Sequence, residues 1–296
     1  MEIVGKVAVV TGGGSGIGRA TAIALAKEGA DVVVAARNEA SLTPVCEEIR
    51  ALGRQAVAVG TDVSKLADVR NLFDRSVEAM GRVDILMNNA GVHMMGPIEN
   101  TSIDDWQWMI SINLWGVIHG VNVFLPHMLE RGSGHIVNTA SIAGQVGGLD
   151  GALPYTTTKF AVVGFSEGLA VHLRPKGIGV SVLCPGLVQT DIVSRQRTIP
   201  TGDTVVDTAR SALLEVVKKG NWSLLQGQVV QADFVAGLVV DAIKNNRFLI
   251  LTHDDSREMI LRRAKDPEGL IDELSQRSEQ SAENFKTIVA AMMKTE

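Results

Sequence analysis

Tyr155 is the only tyrosine in the 296-residue chain, and Lys159 follows it by four positions. On a helix that spacing places both side chains on one face. A phenol with the ordinary pKa of about 10 is a poor proton donor or acceptor at neutral pH. A neighbouring ammonium favours the phenolate and brings the group toward a range useful for proton transfer. Taken alone, the pair also describes a solvated tyrosine beside a lysine. A second chemical signal lies near the N-terminus, where Thr11-Gly12-Gly13-Gly14-Ser15-Gly16-Ile17-Gly18 follows the apolar run Val7–Val10 and opens a helical pattern. Glycines there let the backbone turn sharply and approach a pyrophosphate, whose charge is stabilised by the N–H groups and dipole of the helix start. A glycine cluster by itself is a common turn; the strand before it and the helix after it make the phosphate reading the stronger one.

The elements that must position these groups alternate along the chain. Strand patterns at Val7–Thr11, Asp31–Ala35, Ala56–Gly60, Ile85–Asn88, Gly134–Ser141 and Gly179–Cys184 are separated by helical patterns at Gly16–Glu28, Glu39–Leu52, Leu66–Met80, a long stretch after Asp104, and Pro154–Leu173. A further helix is expected near Phe234–Lys244 and a strand near Arg247–Thr252. This order predicts an α/β fold, a Rossmann-type doubly wound parallel sheet with helices on both faces, in a single domain. The catalytic domain spans 1–252, with a substrate lid at about 187–231 where the pattern loosens around Pro200, Gly202, Gly220 and Gly227, and a helical C-terminal extension covers 253–296. The second strand runs through Ala36 to Arg37 and Asn38. Alanine stands where an acid would bind the ribose 2′-hydroxyl of NAD, and the arginine guanidinium suits the 2′-phosphate of NADP, so NADP(H) is expected over NAD(H). The other reading of Arg37 is a surface loop arginine, and Ser15 supplies no second cation.

Composition excludes several classes. Two cysteines, Cys46 and Cys184, cannot build a disulfide framework and have no metal-ligand spacing, so a cytoplasmic setting is expected. A net charge of -5 argues against a general nucleic-acid binder. The N-terminal apolar run is shorter than a signal-peptide core and reads as a first strand. Trp106–Leu129 carries no Asp, Glu, Lys or Arg, which is long enough to span a bilayer, yet it holds Gln107, Asn113, His119, Asn122 and His127. Its apolar residues fall on more than one face, as in a helix buried in protein or at an interface, and no membrane association is expected.

With these motifs in this order, the chain resembles the short-chain dehydrogenase/reductase family from Lys6 to about Thr252: the glycine loop, Asp62-Val63, Asn88-Asn89-Ala90-Gly91, Asn113, Ser141, Tyr155 with Lys159, and Pro185-Gly186. Ser141 and Asn113 alone would read as a strand-end serine bonding its own turn and a buried structural amide. The resemblance implies that Tyr155 is the acid/base, that Lys159 lowers its pKa and bonds the nicotinamide ribose, that Ser141 bonds the substrate oxygen, and that Asn113 holds a water linking Lys159 to solvent. It further implies cofactor contacts from Gly12, Gly14, Ser15, Gly16, Ile17, Gly18, Arg37, Asp62, Val63, Asn89, Val188 and Thr190, with Asn88 bracing neighbouring strands. Hydride then passes directly between nicotinamide and substrate carbon, without metal or flavin. A homodimer or homotetramer built through the helices of Asn113 and Tyr155 is expected. The chain departs from the pattern in a Ser141–Tyr155 separation of 14 and in its C-terminal extension.

Pocket positions are expected at Val92–Met95, Ile142–Val146, Leu149–Leu153 and along Leu187–Leu225. They are mainly apolar, with His93 and Gln145 as scattered polar groups, which points to a hydrophobic secondary alcohol or ketone. A catalytically silent dinucleotide-binding sensor or scaffold is the rival reading on the same fold, and a nucleotide-sugar epimerase is disfavoured because no sizeable C-terminal substrate domain is present.

Overall fold

Seven short apolar runs become seven parallel strands in a computed structural model that describes residues 1–147, 150–220, 222 and 228–292, with side chains through 280. They are β1 Val7–Thr11, β2 Asp31–Ala36, β3 Ala56–Gly60, β4 Ile85–Asn88, β5 Gly134–Thr139, β6 Ile178–Cys184 and β7 Leu249–Leu251. Their order across the sheet is β3-β2-β1-β4-β5-β6-β7. Register is set by pairs such as Val9↔Val33 and Val9↔Leu86. All residues of β1 and β5 are buried, which is why these strands read as continuous apolar runs and not as alternating ones.

Helices α1 Gly16–Lys27, α2 Thr43–Ala51 and α9 Ala232–Lys244 cover one face. There Leu25, Ile49 and Val239 pack with Ala8, Val10 and Val32. The other face is covered by α3 Leu66–Met80, α5 Gly116–Arg131 and α6 Leu153–Leu173, with Leu72, Phe124 and Met128 against Val9, Val33 and Leu86. Neighbouring residues of β1 thus serve opposite cores, the period of two expected of a strand. The direction of winding reverses between β1 and β4, opening a crevice at the carboxyl ends of these strands.

Several boundaries differ from expectation. The helix expected over Glu39–Leu52 is a 3₁₀ turn, Glu39–Leu42, followed by α2, with Pro44 in the first turn of α2 where its missing N–H is harmless. The long helix begins as α4, Ile103–Ile110, under a capping box between Ser102 and Asp105, then widens into a π-turn at Ser111–Trp115 before α5. The whole stretch Ile103–Arg131 is long and apolar enough to cross a membrane by length and composition. Instead Val117, Val121, Phe124 and Met128 pack on the sheet, while Trp115 and Leu129 stay exposed on the outer side.

The expected lid is more regular than a loop. Val188–Gln189 pairs with Val230–Gln231, and Arg197–Thr198 pairs with Met94–Met95. Between them lie α7 Asp191–Ser194 and α8 Thr204–Lys218. Leu149 and Leu225, expected at the pocket, fall outside the described residues. The extension forms α10 Ser256–Lys265 and α11 Pro267–Met292. It folds back on the body: Leu270 is buried, and the Ser278 hydroxyl donates to Asp150 at 2.5 Å.

Candidate active site

The glycine loop joins β1 to α1 at the crevice. Gly16 has φ +52°, a left-handed conformation that leaves glycine unstrained, and lies against Thr190. A Cβ on Gly18 would run into the Gly12 carbonyl and the Asn89 amide, so α1 can approach the loop this closely only without a side chain there. Ser15 precedes the helix in extended conformation with no side-chain cap of its own. The first-turn N–H groups are therefore left for another acceptor. Ile17 is half-buried and packs partly against the core.

Asn89 secures this loop. Its amide donates to the Thr11 carbonyl at 3.0 Å, and the Thr11 hydroxyl accepts from the N–H groups of Asn89 and Ala90 at 2.9 and 3.1 Å. Asn88 braces strands, donating to Asn138 at 2.9 Å. Gly12, Arg37, Asp62 and Val63 line one cleft of about 140 Å³ together with Ala36 and Gly91. Arg37 is exposed at the end of β2 and has no ion-pair partner among the described residues. Asp62 accepts from the Ser64 N–H and hydroxyl through one oxygen only. Gly14 sits beside Ser41, and Val188 is buried in its short pairing with Val230.

Ser141, Tyr155, Lys159 and Asn113 converge in a buried cluster between the ends of β5 and β6 and the faces of α6 and the π-turn. Lys159 donates to the Thr139 carbonyl at 2.9 Å and stands 5.4 Å from the Tyr155 ring centre. The Ser141 hydroxyl accepts from the Ala143 N–H at 3.2 Å, so the serine caps its own turn while facing the cluster. Burial pushes the Tyr155 phenol up, opposed by the Ser141 hydroxyl, and burial lowers Lys159 to about 8. The expected lowering of Tyr155 by Lys159 is therefore not what the protein chain alone produces; desolvation dominates. Both ends of the Asn113 amide are in use, Oδ1 accepting from the Val92 N–H at 2.8 Å and Nδ2 donating to the Val92 carbonyl at 2.9 Å.

The profile of the short chain dehydrogenase family matches residues 6–199. The chain belongs to the short-chain dehydrogenase/reductase family. It is an oxidoreductase acting on CH–OH groups. An SDR from Burkholderia phymatum, solved in complex with NAD, superposes with a TM-score of 0.79 at 38% identity, over 90% of this chain and 96% of that one. An uncharacterized oxidoreductase of Listeria innocua is 33% identical over 82% of this chain and 92% of its own length. The meso-2,3-butanediol dehydrogenase of Serratia marcescens is 39% identical over 66% of this chain and 76% of its own.

Around the SDR cluster lie residues of the expected pocket segments, joined by Met109, which was outside them. Met94, Met109, Ala143, Ala152 and Ile199 pack about Tyr155 as an apolar cluster. His93 meets Tyr155 edge to face, with ring centres 4.5 Å apart, and bonds Gln196 at 2.7 Å. Burial lowers the pKa of His93, assisted by the Lys159 charge. Leu153, expected in the pocket, is instead largely exposed at the start of α6. The π-turn was not foreseen either; such wide turns recur at functional sites, and a polar residue inside a long apolar helix was the available signal.

Proposed function

We propose that the protein is an NADP(H)-dependent oxidoreductase that interconverts a hydrophobic secondary alcohol and its ketone. The observation that carries this reading is the juxtaposition of Tyr155, Ser141 and Lys159 in one buried cluster beside the glycine-loop crevice. The crevice fits a dinucleotide: Gly18 and Gly16 admit close backbone approach, the start of α1 offers unpaired N–H groups, and the cleft runs from Gly12 to Arg37, Asp62 and Val63. Gly12, Gly14, Ser15 and Gly16 would hold the pyrophosphate, with Ile17 and Gly18 setting the helix start. Asp62 and Val63 would hold the adenine, Asn89 the loop and ribose, and Val188 and Thr190 the carboxamide. When bound, the nicotinamide supplies or accepts the hydride.

The chain's own residues handle the proton and the substrate oxygen. Tyr155 gives its hydroxyl proton to that oxygen in reduction and takes one in oxidation. Ser141 donates a hydrogen bond to the same oxygen. Lys159 keeps a positive charge near the phenol and would bond the nicotinamide ribose. Asn113 acts through the main chain, since its amide is fully engaged, and the π-turn departs from the α-helical carbonyl pairing where a water can be held. The apolar wall around Tyr155 selects a hydrophobic substrate. Exposed Trp115 and Val171 on α5's approach and on α6 support a homodimer or homotetramer assembled through these helices. Two buried free cysteines accord with a cytoplasmic setting.

Arg37, with no carboxylate paired to it, supports NADP(H). NAD(H) is the second reading, favoured by the NAD bound to the Burkholderia relative. Tyr155→Phe tests the central assignment. Turnover of a panel of ketones and secondary alcohols, followed by NADPH absorbance, should fall about 10²–10⁴-fold, while NADPH binding by fluorescence titration stays near the wild-type value. Unchanged turnover would remove Tyr155 as the acid/base, and tight cofactor binding with no turnover of any alcohol by the wild type would favour the silent sensor.

A further inference from the structure

His93 lies two positions beyond Gly91 and one beyond Val92, whose backbone is clamped by Asn113. Its ring meets Tyr155 at 71°, centres 4.5 Å apart. The ring cannot turn freely. Nδ1 bonds Gln196 Oε1 at 2.7 Å, and the backbone on both sides is zipped together: the His93 carbonyl accepts from the Arg197 N–H at 3.0 Å, and the Met95 carbonyl accepts from the Ile199 N–H at 2.8 Å. Arg197 is itself held over the Trp108 ring at 3.8 Å and paired with Asp105 at 2.7 Å. Gln196 therefore approaches the imidazole from a fixed segment.

An imidazole facing an amide oxygen must donate from that nitrogen, so Nδ1 carries the proton. In the neutral ring the other nitrogen, Nε2, then holds a lone pair. Burial and the Lys159 charge keep the ring neutral below the ordinary histidine range. Among the described residues Nε2 has no hydrogen-bond partner. Apart from Ser141 and Lys159, which serve the reacting oxygen and the phenol, the residues packed about Tyr155 are apolar: Met94, Met109, Ala143, Ala152 and Ile199. A single oriented acceptor in an otherwise apolar wall fixes which polar group a ligand can bury there, because a buried polar group left unpaired on either side is costly.

We infer that His93 is a specificity-determining residue whose Nε2 accepts a hydrogen bond from a hydroxyl on the carbon next to the reacting carbinol, so that the preferred substrates are vicinal diols and their α-hydroxy ketones. This rests on the proposed alcohol–ketone reading and narrows it. The imidazole takes no proton in the reaction; it orients the second hydroxyl while Tyr155 serves the first.

Three phenyl-substituted secondary alcohols test it: one with a hydroxyl on the neighbouring carbon, its methyl ether at that hydroxyl, and one with hydrogen there. The ether can accept a hydrogen bond but cannot donate one. In the wild type, kcat/KM for the diol should exceed that for each of the other two by about tenfold, the usual scale of one hydrogen bond. His93→Leu should bring the ratios to near one, with the loss appearing mainly in KM for the diol. His93→Gln, which keeps an acceptor, should restore part of the preference, and Gln196→Leu, which frees the ring, should weaken it. A wild type that treats all three alike, one that prefers the ether, or a His93→Leu enzyme that loses the same factor on all three would overturn the proposal. Turnover of the simple alcohol by the wild type reports separately on the alcohol–ketone reading, and its absence with all three would count against that reading instead.

Discussion

The Arg263 guanidinium lies over the Phe160 ring, 4.7 Å from its centre, and donates to the Gln145 carbonyl at 3.0 Å. Arg263 belongs to the extension, Phe160 follows Lys159 on α6, and Gln145 lies in the loop between Ser141 and Tyr155. One side chain from the extension thus ties that loop to the catalytic helix.

Arg263→Ala should therefore act on substrate before cofactor. Losing one cation–π contact and one hydrogen bond costs about 1–2 kcal/mol of loop ordering. The expected result is a severalfold rise in KM for the alcohol with NADPH affinity unchanged, read by steady-state kinetics and a cofactor titration. Arg263→Lys, which keeps charge without the planar stack, should recover part of the loss.

Arg37→Ala should cost NADPH far more than NADH. A guanidinium–phosphate pair at an exposed position is worth about 1–3 kcal/mol, or roughly five- to 150-fold in kcat/KM. Comparing both cofactors in wild type and variant checks it. A wild type that prefers NADH would reverse the assignment.

Lys159→Met should abolish turnover yet raise stability at neutral pH. Burial lowers Lys159 to about 8, against 10.5 in the unfolded chain. Between about pH 8 and 10.5 the unfolded chain holds the proton that the folded state releases, so stability attributable to this group rises with pH across that window, and below it the buried ammonium is a full cost. The variant's gain in urea midpoint should thus be largest at pH 7 and shrink toward pH 10, reduced throughout by the loss of the bond to Thr139.

Gly120→Ala should destabilise strongly. A Cβ there would strike the Asn88 side chain, which donates to Asn138, whose amide in turn donates to Ser166 at 3.0 Å. Overpacking against a buried polar chain costs about 1–3 kcal/mol or more. Thermal unfolding should show a Tm lower by several degrees.

Much of this architecture was legible in the chain because local patterns carry it: β3, β4 and α3 fall at the expected residues, and an unbroken, fully buried apolar run such as Ile85-Leu86-Met87 needs no partner to be recognised. The glycine loop was legible for a similar reason, a local geometry demanding a residue type. What was not legible depends on distance. His93 and Gln196 are 103 positions apart, and Arg263 and Gln145 are 118 apart, so neither contact leaves a local pattern. The two-residue strand Met94–Met95 is too short to show alternation. The direction of the Tyr155 shift required knowing how completely the fold seals it from water, which spacing alone does not give.

The π-turn at Ser111–Trp115 changes the angular phase of the helix that contains it. Each residue advances an α-helix by about 100°, so one extra residue in a wide turn rotates everything downstream by that angle. Met109, before the turn, belongs to the cluster around Tyr155, whereas Val121 and Phe124, after it, belong to the sheet. The wide turn is the joint between the stretch that serves the Tyr155 cluster and the stretch that serves the sheet, and Asn113 sits within it.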